Sequence, residues 1–286
     1  MVSIIIVNYN TKKLTADCIR SVFASTSSDF EIIVADNSSD KRQVLRTKHP
    51  KIRIVRCMNR GFGHACNVAL RYARGEHILL LNSDTIVHKG AIDKLCRYLD
   101  ENDSVGAVGG KTLLADGTLD HSCKRGLPTP VASLFYITGL SRLFPKSKVF
   151  SAYHKTYLDE NETHRVEVLS GAFMLIRRGI MEKLDGFDES FFMYGEDVDL
   201  CHRIALDGWE IVYLPDAVIT HLKGQSGLKS RSPKVILHFY KSMWLFYTKN
   251  LSDRYNIFVD VAVYLAISVM YSLATLRTIA EGMKNG

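Results

Sequence analysis

Three carboxylates, Glu196, Asp197 and Asp199, stand together in a chain that is otherwise basic, with a formal net charge of +7. They follow Tyr194-Gly195, a turn-like break, and they head the run Val198, Leu200, Cys201, Ile204, Ala205, whose spacing predicts a helix. At a helix start the unpaired backbone N–H groups and the positive end of the dipole stabilise negative charge. A carboxylate kept ionised there and presented to a cleft can deprotonate a hydroxyl. The plainer alternative is acidic capping with no chemistry attached.

A second group lies in LLLNSDTIV, residues 79–87. Side chains two apart share a face of a strand, so Asn82 and Asp84 can meet one ligand. Hard oxygen donors of this kind suit Mg²⁺ or Mn²⁺ held jointly with a diphosphate; a turn with a capping aspartate is the alternative. His221, ending VITHLKG, is either a structural histidine or an imidazole ligand to such a metal. Asp36, in VADNSSD, either caps the next helix or hydrogen-bonds a nucleobase or ribose. NRGFGHACNVAL (59–70) is not a dinucleotide fingerprint, because Cys66 stands where the third glycine belongs and the run follows a third strand. Gly61 and Gly63 still permit close backbone approach to a ligand.

The elements that must position these groups alternate. Apolar runs at Ser3–Val7, Glu31–Ala35, Ile52–Arg56, His77–Leu81 and Val105–Gly109 are strand candidates, separated by helical patterns near 11–25, 41–48, 63–73 and 89–102. Strands apolar on both faces with helices between them predict a parallel α/β sheet, whose ligands bind beyond the strands' carboxyl ends. Those ends are all polar: Asn8-Tyr9-Asn10, Asp36-Asn37-Ser38, Asn59-Arg60-Gly61 and Asn82-Ser83-Asp84. Residues 112–165, with Pro128, Pro130 and Pro145, read as an excursion over the cleft with helix near 131–143. Arg125 within it is expected to be exposed, or else to meet an acceptor phosphate. Strands resume at Val166–Arg177, Ile211–Leu214 and Val218–His221.

A chain of 286 residues, 47% hydrophobic and 23% charged, is globular and accommodates one large domain or one domain with an appendage. Six scattered cysteines, with no CxxC pair and no zinc spacing, point to reduced thiols in the cytosol. The opening SIIIV lacks a basic leader and reads as a buried strand, not a cleavable signal. The charge is concentrated late: residues 222–286 hold nine Lys or Arg against three acids.

In order along the chain, SIIIVNYN, DNSSD, NRGFGHACN, LLLNSDT, LSGAFMLIRR, GFDESFFMYGEDVDLCHR and HLKGQS resemble the family 2 glycosyltransferases, especially their rhamnosyltransferase-like bacterial branch. The resemblance runs from Ser3 to Ser226. It implies a GT-A fold, Rossmann-like with a mostly parallel central sheet, and direct displacement that inverts the anomeric centre. It implies Asp197 as the base and Asp84, with His221, as metal ligands for Mg²⁺ or Mn²⁺. It also implies Asn8, Asn10, Asp36, Asn59, Gly61 and Asn67 at the nucleotide, with Ser170, Gly171 and Glu196 at the sugar or acceptor. The family's metal-binding DxD is Asn82-Ser83-Asp84 here, one charge short. The implied donor is a nucleoside-diphosphate sugar, dTDP-rhamnose being favoured. The implied acceptor is a surface polysaccharide or a polyprenyl-diphosphate-linked sugar.

Residues 1–222 are expected to form the catalytic domain and 223–286 a helical, membrane-associating tail. In 234–250, Lys234, Lys241 and Lys249 interleave with Phe239, Tyr240, Trp244, Phe246 and Tyr247. Ile257–Leu276 carries one charge, Asp260, on a stripe with Tyr264, Ser268, Tyr271 and Thr275. Twenty residues reach across a bilayer, but the stripe favours an in-plane helix or a helix-pair partner. Aromatic and basic residues together fit a membrane interface better than a nucleic-acid groove, which places the protein peripherally at the inner face of the cell membrane. A homo-oligomer stays open. The rival readings are a metal-dependent nucleotidyltransferase, which needs a Gly-rich basic loop where this chain has Asn8-Tyr9-Asn10-Thr11, and a catalytically silent membrane scaffold on the same fold.

Overall fold

A computed structural model describes residues 1–222 and 232–284, the side chains of 281–284 excepted. The expected 222/223 boundary and the end of the HLKGQS motif (Lys223 to Ser226) lie outside the described residues, as do Lys229 and Arg231. The strands are β1 (Val2–Asn8), β2 (Phe30–Asp36), β3 (Ile52–Arg56), β4 (His77–Asn82), β5 (Thr85–Val87), β6 (Val105–Leu114), β7 (His164–Arg165), β8 (Phe173–Arg177) and β9 (Glu210–His221). The helices are α1 (Lys12–Ser25), α2 (Phe62–Leu70), α3 (Ala91–Glu101), α4 (Pro130–Ile137), α5 (Leu140–Leu143), α6 (Arg178–Lys183), α7 (Glu196–Leu206), α8 (Pro233–Asn250) and α9 (Ile257–Lys284).

One sheet has the order β3-β2-β1-β4-β8-β6-β9-β5, with β7 pairing β9. The first four strands are parallel, as their apolar character predicts. Beyond β4 the sheet is mixed: β8 runs antiparallel to both β4 and β6, while β6 and β9 are parallel. Alternation along β1 and β4 builds a core on each face. Ile5, Ile78 and Leu80 pack with α2 and α7, while Ile4, Ile6, Leu79 and Leu81 pack with α1 and α3.

Four expected elements differ. The strands expected at 211–214 and 218–221 are one continuous strand, β9. The helix at 41–48 is only a 3-10 turn, Lys41–Gln43, because Asp36 takes the Leu45 N–H at 2.8 Å and bends the chain. Only Phe173–Arg177 of the long strand at 166–177 is strand, since 169–172 turns past the start of α7. The helix at 131–143 divides into α4 and α5 at Gly139, which sits at φ 81°.

α8 joins the body, with Phe246, Tyr247 and Leu251 in the core that includes α7. Lys249 reaches both Asp188 (2.6 Å) and the fully buried Asp199 (3.1 Å). The polar stripe of α9 turns to α8: Tyr247 donates to Asp260 at 2.6 Å, Thr248 meets Tyr264 at 3.0 Å, and Trp244 stacks on Tyr264. Phe258, Val261, Leu265, Val269, Leu273 and Leu276 are left exposed. Ile257–Ala280 is long and apolar enough to cross a membrane, with a mean hydropathy of 2.0.

Candidate active site

Parallel register brings the polar ends of β1, β2 and β4 to one edge, where Asn8 pairs with Asp36 and Val7 with Asn82. The turn after β4 is held by Thr85 Oγ1 donating to the Asn82 carbonyl at 2.7 Å and by a Thr11–Ser83 hydroxyl contact at 3.1 Å. β5 then returns antiparallel to β9, with Thr85 opposite His221. His221 Nε2 thereby lies 3.1 Å from Asp84 Oδ1 and 3.4 Å from Asn82 Nδ2. Burial opposes charge on His221, but hydrogen bonds to Asp120 and Asp84 outweigh it and push its pKa up to about 9.

A cleft of about 1410 Å³ opens over this edge. Asn59, Gly61, Asn82, Asp84, Ser170, Gly171, Glu196, Asp197 and His221 all line it. Gly61 stands at φ 116°, and a Cβ there would sit 2.4 Å from the Phe192 carbonyl oxygen, so the glycine is required by close backbone approach. α7 starts as expected, after Tyr194 and Gly195 in left-handed conformation (φ 69° and 79°).

Asp197 is held by the chain around it. Arg125 Nη2 donates to its Oδ2 at 2.6 Å, and Gly171 N–H approaches the same oxygen at 3.4 Å. Both side chains of the ion pair are largely buried, 12% and 17% exposed. Arg125 is therefore not exposed: backbone pairing of Arg125 with Val168 turns it inward, where it lines the cleft. Burial first, and then the charge of Asp197, push the Glu196 carboxyl up to about 8. Its Oε2 is buried without a hydrogen-bond partner. Asp199 is a structural acid, with Arg203 at 2.7 Å and Lys249 at 3.1 Å.

Four residues expected at the nucleotide, Asn8, Asn10, Asp36 and Asn67, are not among those lining the cleft and are engaged within the chain. Asp36 is fully buried and saturated by Asn8, the Ser38 and Leu45 N–H groups and Arg56. Asn8, also buried, ties Asp36, Ser38 and the Gln43 carbonyl to Thr11 and Thr15. Asn10 bonds Ser39 and the Asp40 N–H. Asn67 clamps Phe187 and Glu189. These bonds shape the loops at the strand ends. Tyr9, Thr11 and Asn37 line the cleft beside them, with Asn37 Nδ2 3.4 Å from Asn59 Oδ1. Tyr9 and Asn37 lie beside the residues singled out from sequence, whereas Arg125 sits in a segment with no periodicity to mark it.

Among the described residues no group of three or more His, Cys, Asp or Glu side chains is arranged to hold a metal ion. All six cysteines are free.

Residues 1–235 match the profile of glycosyltransferase like family 2, and the chain belongs to that family. It is a glycosyltransferase. Among relatives, the N-acetylglucosaminyl-diphospho-decaprenol L-rhamnosyltransferase of Mycobacterium tuberculosis (strain CDC 1551 / Oshkosh) is 28% identical over 250 residues, covering 82% of this chain and 79% of that protein. Rhamnosyltransferase WbbL of Escherichia coli (strain K12) is 28% identical over 235 residues, 75% of this chain and 81% of WbbL. The fold is shared with mannosyltransferase PcManGT from Pyrobaculum calidifontis, solved with GDP-Man and Mn²⁺ (TM-score 0.58, 18% identity, all of this chain and 75% of that one). It is shared also with S. aureus TarS 1-349 (TM-score 0.56, 19% identity), where the match covers 88% of this chain and 65% of the TarS chain. These likenesses establish the GT-A architecture on a mixed α/β sheet.

Proposed function

We propose that this chain is an inverting transferase that moves a sugar, rhamnose in the favoured case, from a nucleoside diphosphate to a hydroxyl of a lipid-linked saccharide. The observation that carries it is Asp197, at the first turn of α7 on the wall of the cleft that also holds Asp84 and His221. Asp197 takes the proton of the acceptor hydroxyl. The hydroxyl oxygen attacks the anomeric carbon from the side opposite the diphosphate. The carbon–oxygen bond to the diphosphate breaks, and its electron pair leaves with the nucleoside diphosphate. One carboxylate suffices, since the glycosyl group never bonds to the protein.

Arg125 orients the base, and Tyr9, Asn37 and Asn59 offer hydrogen bonds on the nucleoside side. The donor set fits a divalent ion once His221 gives up its proton: a carboxylate and an imidazole then converge at the cleft wall, and two protein donors leave room for diphosphate oxygens. Asp84 and His221 would hold Mg²⁺ or Mn²⁺, which when bound supplies positive charge to the leaving diphosphate. The names of the mycobacterial and E. coli relatives support rhamnose, and the mycobacterial one supports a polyprenyl-diphosphate acceptor. The exposed apolar face of α9 supports residence at the inner face of the cell membrane.

Melting curves with dTDP-rhamnose, UDP-glucose, UDP-N-acetylglucosamine and GDP-mannose, each with Mg²⁺ or EDTA, test the donor. A donor at a hundred times its Kd adds about 2.7 kcal/mol of stability. One donor should raise Tm only with the metal; no rise with any of them would overturn the reading. Asp197→Asn should keep that rise and lose at least roughly a hundredfold in transfer rate, and near-parental transfer would remove Asp197 as base.

A further inference from the structure

The cleft is larger than its polar end needs. At about 1410 Å³ it exceeds the roughly 300–1,000 Å³ of ordinary small-molecule sites. From Asp84, Arg125 and Asp197 it continues as an apolar trough between α4 and the pair α8–α9. Leu134 and Ile137 form one wall; Phe239, Met243, Leu265 and Val269 form the other. Leu134, Ile137, Leu265 and Val269 are each at least half exposed, at 55%, 50%, 61% and 55%. A nucleotide sugar or a soluble glycan carries charges and hydroxyls that such walls cannot satisfy.

We propose that this trough binds the hydrocarbon chain of a polyprenyl phosphate-linked acceptor whose sugar head lies at Asp197. The proposal rests on the glycosyl-transfer reading above and adds the place of the chain. Two observations commit it to this occupant. The trough is continuous with the reaction centre, so one amphiphile spans both ends. Its outer wall is also one side of the apolar helix α9, of whose most apolar stretch only 6% is buried, so a chain can enter sideways from a bilayer without crossing water. The polar stripe of α9 is engaged with α8, as the Asp260–Tyr247 and Tyr264–Thr248 bonds require, which leaves the trough side to hydrocarbon.

The test uses the full chain in dodecyl maltoside micelles, with undecaprenyl phosphate, geranyl phosphate and phosphatidylglycerol as probes read by native mass spectrometry. Undecaprenyl phosphate should bind at least about tenfold tighter than either of the others, given the extra apolar surface buried. Leu134→Gln/Ile137→Gln, at positions exposed enough to tolerate the change, should remove about that factor for undecaprenyl phosphate alone while the donor-induced rise in Tm persists. Equal affinity for phosphatidylglycerol, or unchanged undecaprenyl phosphate binding by the variant, would overturn the trough. If no donor raised Tm, the glycosyl-transfer reading would fall by itself; chain-selective binding lost in the variant would still uphold the trough.

Discussion

Arg125→Gln removes the countercharge of Asp197 while keeping much of the side-chain length. The two groups meet at 2.6 Å with 12% and 17% of their side-chain surface exposed. At an effective dielectric of about 20, unit charges at about 4 Å attract by roughly 4 kcal/mol. Breaking a buried pair by deleting one partner costs about 3–5 kcal/mol, because the other charge is left uncompensated. Residual exposure favours the lower end, so the variant should lose about 3 kcal/mol, which corresponds to a fall in Tm of roughly 5 °C for a chain of this size. Asp197→Asn should destabilise in turn by stranding Arg125. The double variant Arg125→Gln/Asp197→Asn should therefore be more stable than the two single effects sum to, with a coupling of about 2 kcal/mol. Arg125→Lys should fall between parent and Gln, since it keeps the charge but not the planar fork. Urea melts of the four proteins close the cycle. Simple additivity, or a single variant that melts with the parent, would refute the claim that the pair is held out of water and would free Asp197 from Arg125.

The buried Glu196 gives a pH signature. Its carboxyl is pushed up to about 8, so between the usual carboxylate range and that value the folded chain holds a proton the unfolded chain has released. Stability from this site is greatest on the acid side and declines as pH climbs to about 8, and Glu196→Gln should flatten that decline in melts taken from about pH 5 to about pH 9. Parallel curves for parent and variant would contradict it. Gly61→Ala places a Cβ 2.4 Å from the Phe192 carbonyl oxygen at φ 116°, so it should cost about 2 kcal/mol or more. The displaced loop should also blunt the donor-induced rise in Tm, and a variant with parental stability and donor response would mean the backbone there is free to move.

A continuous apolar run is a local signal, and where packing follows it directly the sequence is informative. Ser3–Val7, Ile52–Arg56 and His77–Leu81 lie within β1, β3 and β4, and the acids of 196–199 head α7. The antiparallel insertion of β8 was not legible, because strand direction depends on the path of 112–165, which has no periodicity. The polar strand ends pointed to the sheet edge over which the cleft opens but not to which of their side chains line it. Asn8 and Asp36 satisfy buried N–H and carbonyl groups of the 37–45 loop, and no spacing rule distinguishes that duty from ligand contact. Arg125 pairs with Asp197 across 72 residues of chain, a contact that exists only after folding.

The lysine that bridges Asp188 and Asp199 has a consequence for how this protein can be divided. Asp199 is fully buried, and Lys249 and Asn250 of α8 supply two of its polar contacts. The family profile stops at residue 235, only a few residues into α8. A polypeptide trimmed to that profile would leave an acid of α7 facing a hole, two positions from Asp197. In this molecule the stretch that the family profile covers is therefore shorter than the unit that folds. α8 cannot be exchanged among relatives as a detachable module unless its lysine travels with it.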